Sequence, residues 1–347
     1  MINVFLPITS YSMLLSELII EQQGLAKADN ILLNPHGLEY NDNLWGKVYI
    51  ANMKRINSTN LLKKTVINAN YLKDSSVFYQ RIKKIINNQN YNFFYVDLYH
   101  VLSNHIFSKG FFRRAYVIED GILNYYNDDR TVLKHVWLKH MYYSIYGLSY
   151  KALKDNTHLT GVFLNSVTSQ YVTKPEYSVF PEKSKLVSLK SISSNKQCKE
   201  NVLLVLGQEP IAMGMLSMKK YRELVCEMVE ILMQSVKSQT AIKVYYKPHP
   251  RAEKSSNLLL IKMLNLKFSD SSQIILVEDK KPIELLINNL LPKHVISFNS
   301  TALITIRDMF QDRIRLHSYQ PIDIKIHTND VVNNLFKLYN IKIHETI

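Results

Sequence analysis

The feature that most constrains this chain is a repeated alternation of short apolar runs with segments of helical period. Asn3–Ile8 reads as a buried strand, and Ser12–Gln23 follows with Leu14, Leu15, Leu18 and Ile19 at helical spacing. Asp29–Leu33 and Lys47–Ile50 read as strands, Phe78–Ile86 as a helix, Phe93–Leu98 as a strand and Tyr99–Phe107 as a helix. Ala115–Glu119 reads as a strand that ends in Asp120-Gly121. The pattern resumes at Asn201, with strands expected at Val202–Leu206, Ile242–Tyr246, Ile274–Val277, His294–Phe298 and Arg313–His317. Helices are expected at Lys219–Ser238, Ile283–Leu290, Thr301–Met309 and Val331–Tyr339. Strands alternating with helices predict an α/β fold with parallel sheets covered on both faces. A polar, Ser- and Lys-rich stretch from Ser188 to Glu200 reads as a linker, so two Rossmann-like domains are expected, 1–190 and 191–347. Such a pair places a cleft between its halves, with ligands at the carboxyl ends of strands.

Composition bears on the partners. A formal charge of +14 calls for something anionic. The bases are scattered in pairs such as Lys63-Lys64, Lys83-Lys84, Arg113-Arg114 and Lys280-Lys281, with no nucleic-acid-binding motif beside them. An anionic nucleotide-sugar or an anionic membrane leaflet satisfies the charge as well. No apolar run approaches the length of a membrane span, and no signal peptide is read, so a cytoplasmic protein is expected. Cys198 and Cys226 give neither a disulfide framework nor metal spacing. The glycine patterns of dinucleotide-binding and P-loop folds are absent. His135 and His140, five apart beside Trp137, suit a helix surface, and Tyr142, Tyr143 and Tyr146 suit a core or interface.

Chemistry is expected at strand ends. Glu119-Asp120-Gly121 sets two adjacent carboxylates before a glycine that permits a sharp turn, and burial of one would raise its pKa toward that of a general base. In Lys247-Pro248-His249-Pro250-Arg251 two prolines fix the histidine's backbone, and two flanking cations suit a phosphate. Phe298-Asn299-Ser300-Thr301 runs from a strand into a helix, so Ser300 or Thr301 is the N-cap and the first-turn amides make an anion site. Gly207-Gln208-Glu209-Pro210 follows the first strand of the second half, with Glu209 as a further candidate base. An acidic turn, a rigid capped turn and an ordinary N-cap are the plain alternatives for these clusters.

In order, these clusters resemble the D/E-D-G, H-P and Ser/Thr motifs of bacterial sialyltransferases with the GT-B fold. Together with Leu204-Val205-Leu206-Gly207, Val277-Glu278-Asp279 and Ser300-Thr301-Ala302-Leu303, they are most similar to glycosyltransferase family 52, the lipooligosaccharide sialyltransferases. The resemblance is weak between Arg130 and Asn195. It implies an inverting, metal-independent transfer of sialic acid from CMP-sialic acid to a terminal galactoside of a lipooligosaccharide or capsule, with no cofactor. It implies an acceptor-side domain at 1–190 and a donor domain at 191–347. His249 would act as general acid on the phosphate, with Ser300, Thr301, Lys247, Pro250 and Gly207 around the donor and Glu284 on the cytidine ribose. The base would be Glu119, Asp120 or Glu209. A polysialyltransferase, or another nucleotide-sugar enzyme on the same scaffold, is the alternative; a non-catalytic basic binding protein is a third. Partners are then the donor and a glycan or glycolipid acceptor rather than nucleic acid, with a homodimer and peripheral contact with the inner membrane as further expectations.

Overall fold

The computed structural model describes residues 1–53, 61–87, 90–126, 136–153, 158–193, 196–207, 216–236, 241–249, 252, 254–268, 272–279, 281–321 and 329–345. They divide into two compact units, Met1–Ser188 and Leu189–Ile347. In unit 1 the order is β1 (Ile2–Leu6), α1 (Ser10–Gln22), β2 (Asn30–Asn34), β3 (Lys47–Ile50), α2 (Leu61–Ile86), β4 (Tyr91–Tyr95) and α3 (Val101–Lys109). It continues with β5 (Arg114–Ile118), α4 (Val136–Ile145), β6 (Val167–Val172) and β7 (Ser184–Leu186). Unit 2 holds β8 (Lys199–Leu206), α5 (Met218–Gln234), β9 (Ile242–Lys247), α6 (Lys254–Lys267), β10 (Ser272–Leu276) and α7 (Ile283–Leu290). It closes with β11 (Pro292–Ser297), α8 (Ala302–Phe310), β12 (Arg315–Gln320), α9 (Asn329–Leu338) and β13 (Lys342–Glu345).

Each unit builds one parallel sheet of Rossmann-like topology, ordered β3-β2-β1-β4-β5-β6-β7 in the first and β10-β9-β8-β11-β12-β13 in the second. In both, the strand order reverses about the unit's first strand. The crevice outside the carboxyl ends at that reversal, between β1 and β4 and between β8 and β11, is where such sheets hold ligands.

Burial explains why these segments are strands. Phe5, Leu6, Leu33, Phe93, Tyr95 and Val117 are all fully buried in unit 1, as are Leu203, Val205, Val244, Val295 and Ile296 in unit 2. Apolar side chains of this size each contribute about 1.5–3 kcal/mol when removed from water. A polar ladder also fixes register in unit 1: Asn92 donates to Asn3 at 3.0 Å, and Asn3 donates to Asn30 at 3.1 Å, across β4, β1 and β2. A one-residue slip would leave these buried amides unpaired.

Several elements differ from the sequence reading. The first strand stops at Leu6 because Pro7 has no amide to continue a ladder. α2 begins at Leu61 rather than Phe78, its first half being rich in Asn and Lys that hide the period. β6, β7, α6 and β13 were not expected. β6 buries Ser169 and Gln170 among its apolar residues, which breaks the run that marks a strand. β13 is a half-buried edge strand.

Candidate active site

In unit 1 the candidate residues follow β5. Glu119 continues the ladder, its N–H donating to the Tyr171 carbonyl at 3.0 Å, and its side chain is 1% exposed. Four donors surround that carboxylate. Thr173 gives its N–H at 2.5 Å and its hydroxyl at 2.9 Å, Tyr125 its hydroxyl at 2.8 Å, and Tyr11 its hydroxyl at 3.2 Å. Burial pushes the Glu119 carboxyl up to about 7, and these hydrogen bonds offset only part of the rise.

Asp120 has a different setting. It is partly exposed and accepts the Thr9 hydroxyl at 2.6 Å, while its N–H donates to Asn124 Oδ1 at 3.2 Å. Thr9 is the N-cap of α1 and also accepts the Ser12 N–H at 3.1 Å. The negative charge of Asp120 therefore lies at the positive end of a helix. Gly121 has φ +73°, a left-handed conformation open to glycine at little steric cost. The motif thus splits its carboxylates between a buried pocket and a helix terminus.

In unit 2 the candidates gather at the carboxyl edge of the sheet. Register sets Lys247, Leu206 and Ser297 in one row across β9, β8 and β11. Gly207, His249 and Ser300 follow one, two and three residues later on those strands, so they share one edge of this unit, and neighbouring strands are spaced about 4.8 Å apart. Pro248 ends β9, and the carbonyl of the half-buried His249 accepts the Ala252 N–H at 2.9 Å. Gly207 donates to the Lys247 carbonyl at 2.8 Å. A Cβ on Gly207 would lie 2.6 Å from the Tyr246 hydroxyl and 3.0 Å from that of Tyr221, so close approach, not backbone angle, calls for glycine there.

Lys247 is 7% exposed and Glu284 3%. The Lys247 ammonium donates to the Asp279 carbonyl at 2.5 Å, and Glu284, near the start of α7, accepts the Thr305 hydroxyl at 2.6 Å. Burial lowers the Lys247 pKa and raises that of Glu284, while each one's charge opposes the shift in the other. Ser300 acts as the local cap of α8, its hydroxyl accepting the Ala302 N–H at 3.3 Å and its carbonyl the Leu303 N–H at 3.1 Å. Thr301 already has helical φ and ψ, and its side chain makes no capping bond. An anion at this helix start would compete with the Ser300 hydroxyl for the Ala302 amide.

Glu209 and Pro250 lie outside the described residues. Sequence reasoning missed Tyr11, Tyr125, Thr173 and Thr305. Thr9 was findable as a cap between strand and helix, whereas Thr173 follows a strand that was not expected. Among the described residues, no cluster of three or more His, Cys, Asp or Glu is arranged to hold a metal, and no helix is long and apolar enough to cross a membrane.

A family model described as alpha-2,8-polysialyltransferase (POLYST) matches residues 15–317. That span includes every candidate residue above except Thr9 and Tyr11. The match is to the family held as the alternative in the sequence reading, rather than to family 52. No curated protein matches the chain. Among solved structures, the "Adenylation, ketoreductase, and pseudo Asub multidomain structure of a keto acid-selecting NRPS module" is 8% identical and covers 99% of this chain at a TM-score of 0.22, too low to carry an argument. The chain spans 33% of that structure's length.

Proposed function

The chain belongs to the alpha-2,8-polysialyltransferase family, a family of sialyltransferases, and from that premise we propose that it transfers sialic acid from CMP-sialic acid to a glycan that itself ends in sialic acid. The observation that carries the reading is the family match, which extends into both units. The reading takes the two units as the halves of a GT-B enzyme, with the acceptor on unit 1 and the donor on unit 2.

Glu119 is the general base. A carboxyl with a pKa of about 7 is half ionised near neutrality, where a base is most effective. Of its four donors Tyr11 is held at the longest distance, on the part-buried side, and the acceptor hydroxyl takes that place. Glu119 removes the acceptor proton, the acceptor oxygen attacks the anomeric carbon, and the bond to the CMP phosphate breaks. His249 donates to the departing phosphate, and Ser300 and Thr301 hold it at the start of α8. Single displacement inverts the β-linked donor to an α-linked product. Lys247 adds positive charge beneath the donor site, and Glu284, anchored by Thr305, orients the cytidine ribose. No metal or other cofactor enters these steps. Preorganised donors at the leaving group supply several kcal/mol, by analogy with oxyanion holes, and the base roughly 10²–10⁴-fold in rate.

The test is mass spectrometry of products from CMP-sialic acid with an α2,8-linked sialyl oligosaccharide, and separately with lactose. A ladder of added sialic acids on the first acceptor is expected. One residue added to lactose alone would return the acceptor to a terminal galactoside, and transfer from UDP-sugars instead would sink the sialyl reading. Glu209→Gln, assayed beside Glu119→Gln and Asp120→Asn, separates the three candidate bases.

A further inference from the structure

Helix α4 presents an apolar stripe to solvent. Trp137 is 63% exposed, Leu138 43%, Met141 57% and Ile145 73%. With about 100° of turn per residue, these four share an arc of roughly 100°. Tyr142, Tyr143 and Tyr146 lie on the other side and pack against the core of unit 1. Single exposed apolar residues are ordinary on a protein surface, but four on one arc of a ten-residue helix form a patch.

Within the described stretch 136–153 the charged residues are Lys139 and Lys151, with no Asp or Glu. In the sequence that stretch is flanked by Asp128, Asp129, Arg130 and Lys134 on one side and by Lys154 and Asp155 on the other. The Lys139 ammonium lies 5.7 Å from the centroid of the Tyr150 ring, and that of Lys151 4.9 Å from the centroid of the Phe107 ring. Helix α6 also exposes Leu258, Leu259 and Leu266, but its Lys267 is paired with Glu230 at 2.6 Å, and Glu223 and Glu227 line the adjoining groove. No Asp or Glu falls within the described residues 136–153 that carry α4.

We propose that α4 is an interfacial anchor, lying flat on an anionic lipid surface with Trp137, Leu138, Met141 and Ile145 among the upper acyl chains. Aromatic and aliphatic side chains on one face, with lysines at the flanks, are the composition that favours the headgroup boundary. The occupant is a lipid surface rather than a second copy of this chain. Two copies meeting here would bring like-charged stretches together on molecules of formal charge +14, whereas anionic lipid attracts each nearby lysine. The inference stands without the reaction.

The chain has two tryptophans, and only one can report. Trp45 is 3% exposed, its ring edge-on to Phe5 at 5.4 Å, whereas Trp137 faces solvent. A Trp45→Phe variant, or the unaltered protein if that variant folds poorly, is titrated with phosphatidylcholine vesicles with and without phosphatidylglycerol. A blue shift of emission, quenched by nitroxide-labelled lipids, is expected only with phosphatidylglycerol, with affinity weakening about tenfold from low to physiological salt. Met141→Glu with Ile145→Glu should lower vesicle partitioning at least about tenfold at an unchanged thermal midpoint. Vesicle binding by a protein that transfers nothing would leave this inference standing and remove only the enzymatic reading. No shift with anionic vesicles would overturn it. So would a shift that appears without lipid as protein concentration rises, because a second copy would then cover the face.

Discussion

Thr173 gives both its backbone N–H and its hydroxyl to the carboxylate of Glu119, at 2.5 and 2.9 Å, although the two residues are 54 positions apart. The pair ties the end of β5 to the end of β6. It holds in place a carboxyl that burial would otherwise leave badly solvated, and whose pKa remains about 7.

The acid limb of catalysis should follow from that carboxyl. Below about pH 7, kcat/KM should fall roughly tenfold per pH unit as Glu119 takes a proton. The bond from Tyr11 favours the charged form, so Tyr11→Phe should move the limb to higher pH while transfer persists. Initial rates from about pH 5 to 9 decide it. A limb that stays put in the Tyr11 variant, or one that survives Glu119→Gln, removes Glu119 as the base.

The same shift makes a stability statement of opposite sense to the usual carboxylate. Because the folded pKa lies above the ordinary value of 4.5, the folded state holds this proton more tightly than the unfolded chain. That contribution is complete below about pH 4.5 and is lost as pH rises through about 7. The isosteric Glu119→Gln should therefore be more stable than the parent near pH 8, by on the order of 2–3 kcal/mol, and show no such gain near pH 4. Urea unfolding at the two pH values reads the difference.

Unit 2 carries its own pH signature, in a ladder of imidazoles on its last three strands. His294 Nδ1 meets His317 Nε2 at 3.0 Å, and His317 Nδ1 meets His344 Nε2 at 2.9 Å. Burial lowers His294 to about 4 and His317 to about 3, with Arg315, Lys293 and Lys342 adding to the effect, while Glu200 opposes it weakly at His294; burial lowers His344 as well. Stability from this ladder is present above about pH 6.5 and is lost as pH falls through about 4 to 3. His317→Phe should cost about 1–3 kcal/mol at neutral pH, since His294 and His344 each lose a partner. It should also lose less on acidification than the parent does. A thermal-midpoint series from about pH 7 to 4 that runs parallel in the two proteins would rule the ladder out.

Gly207→Ala tests the carboxyl edge of unit 2 by sterics alone. The added methyl collides with the Tyr246 and Tyr221 hydroxyls, which are 3.0 Å apart and bonded to each other. A loss of about 1–3 kcal/mol is expected. Tyr246→Phe removes the nearer oxygen, so the double variant should be less destabilised than the sum of the singles. Strict additivity would mean that the glycine is required for some other reason.

Local pattern carried much of this protein. The strand–helix alternation located most strands of both sheets, because apolar period is a property of neighbouring residues. Proline chemistry marked where β9 would stop, and the glycine of Glu119-Asp120-Gly121 marked a turn that needs a positive φ. β6 was illegible for the converse reason: Ser169 and Gln170 are buried there by what packs on them, not by their own character. Other choices belonged to the tertiary structure alone. Which of two adjacent carboxylates is buried, and which meets a helix terminus, was set by Tyr11, Thr9 and Thr173, the first of them 108 positions away. Desolvation and hydrogen bonding act through space, so a pKa of about 7 at Glu119 exists only once distant segments of the chain have closed around it.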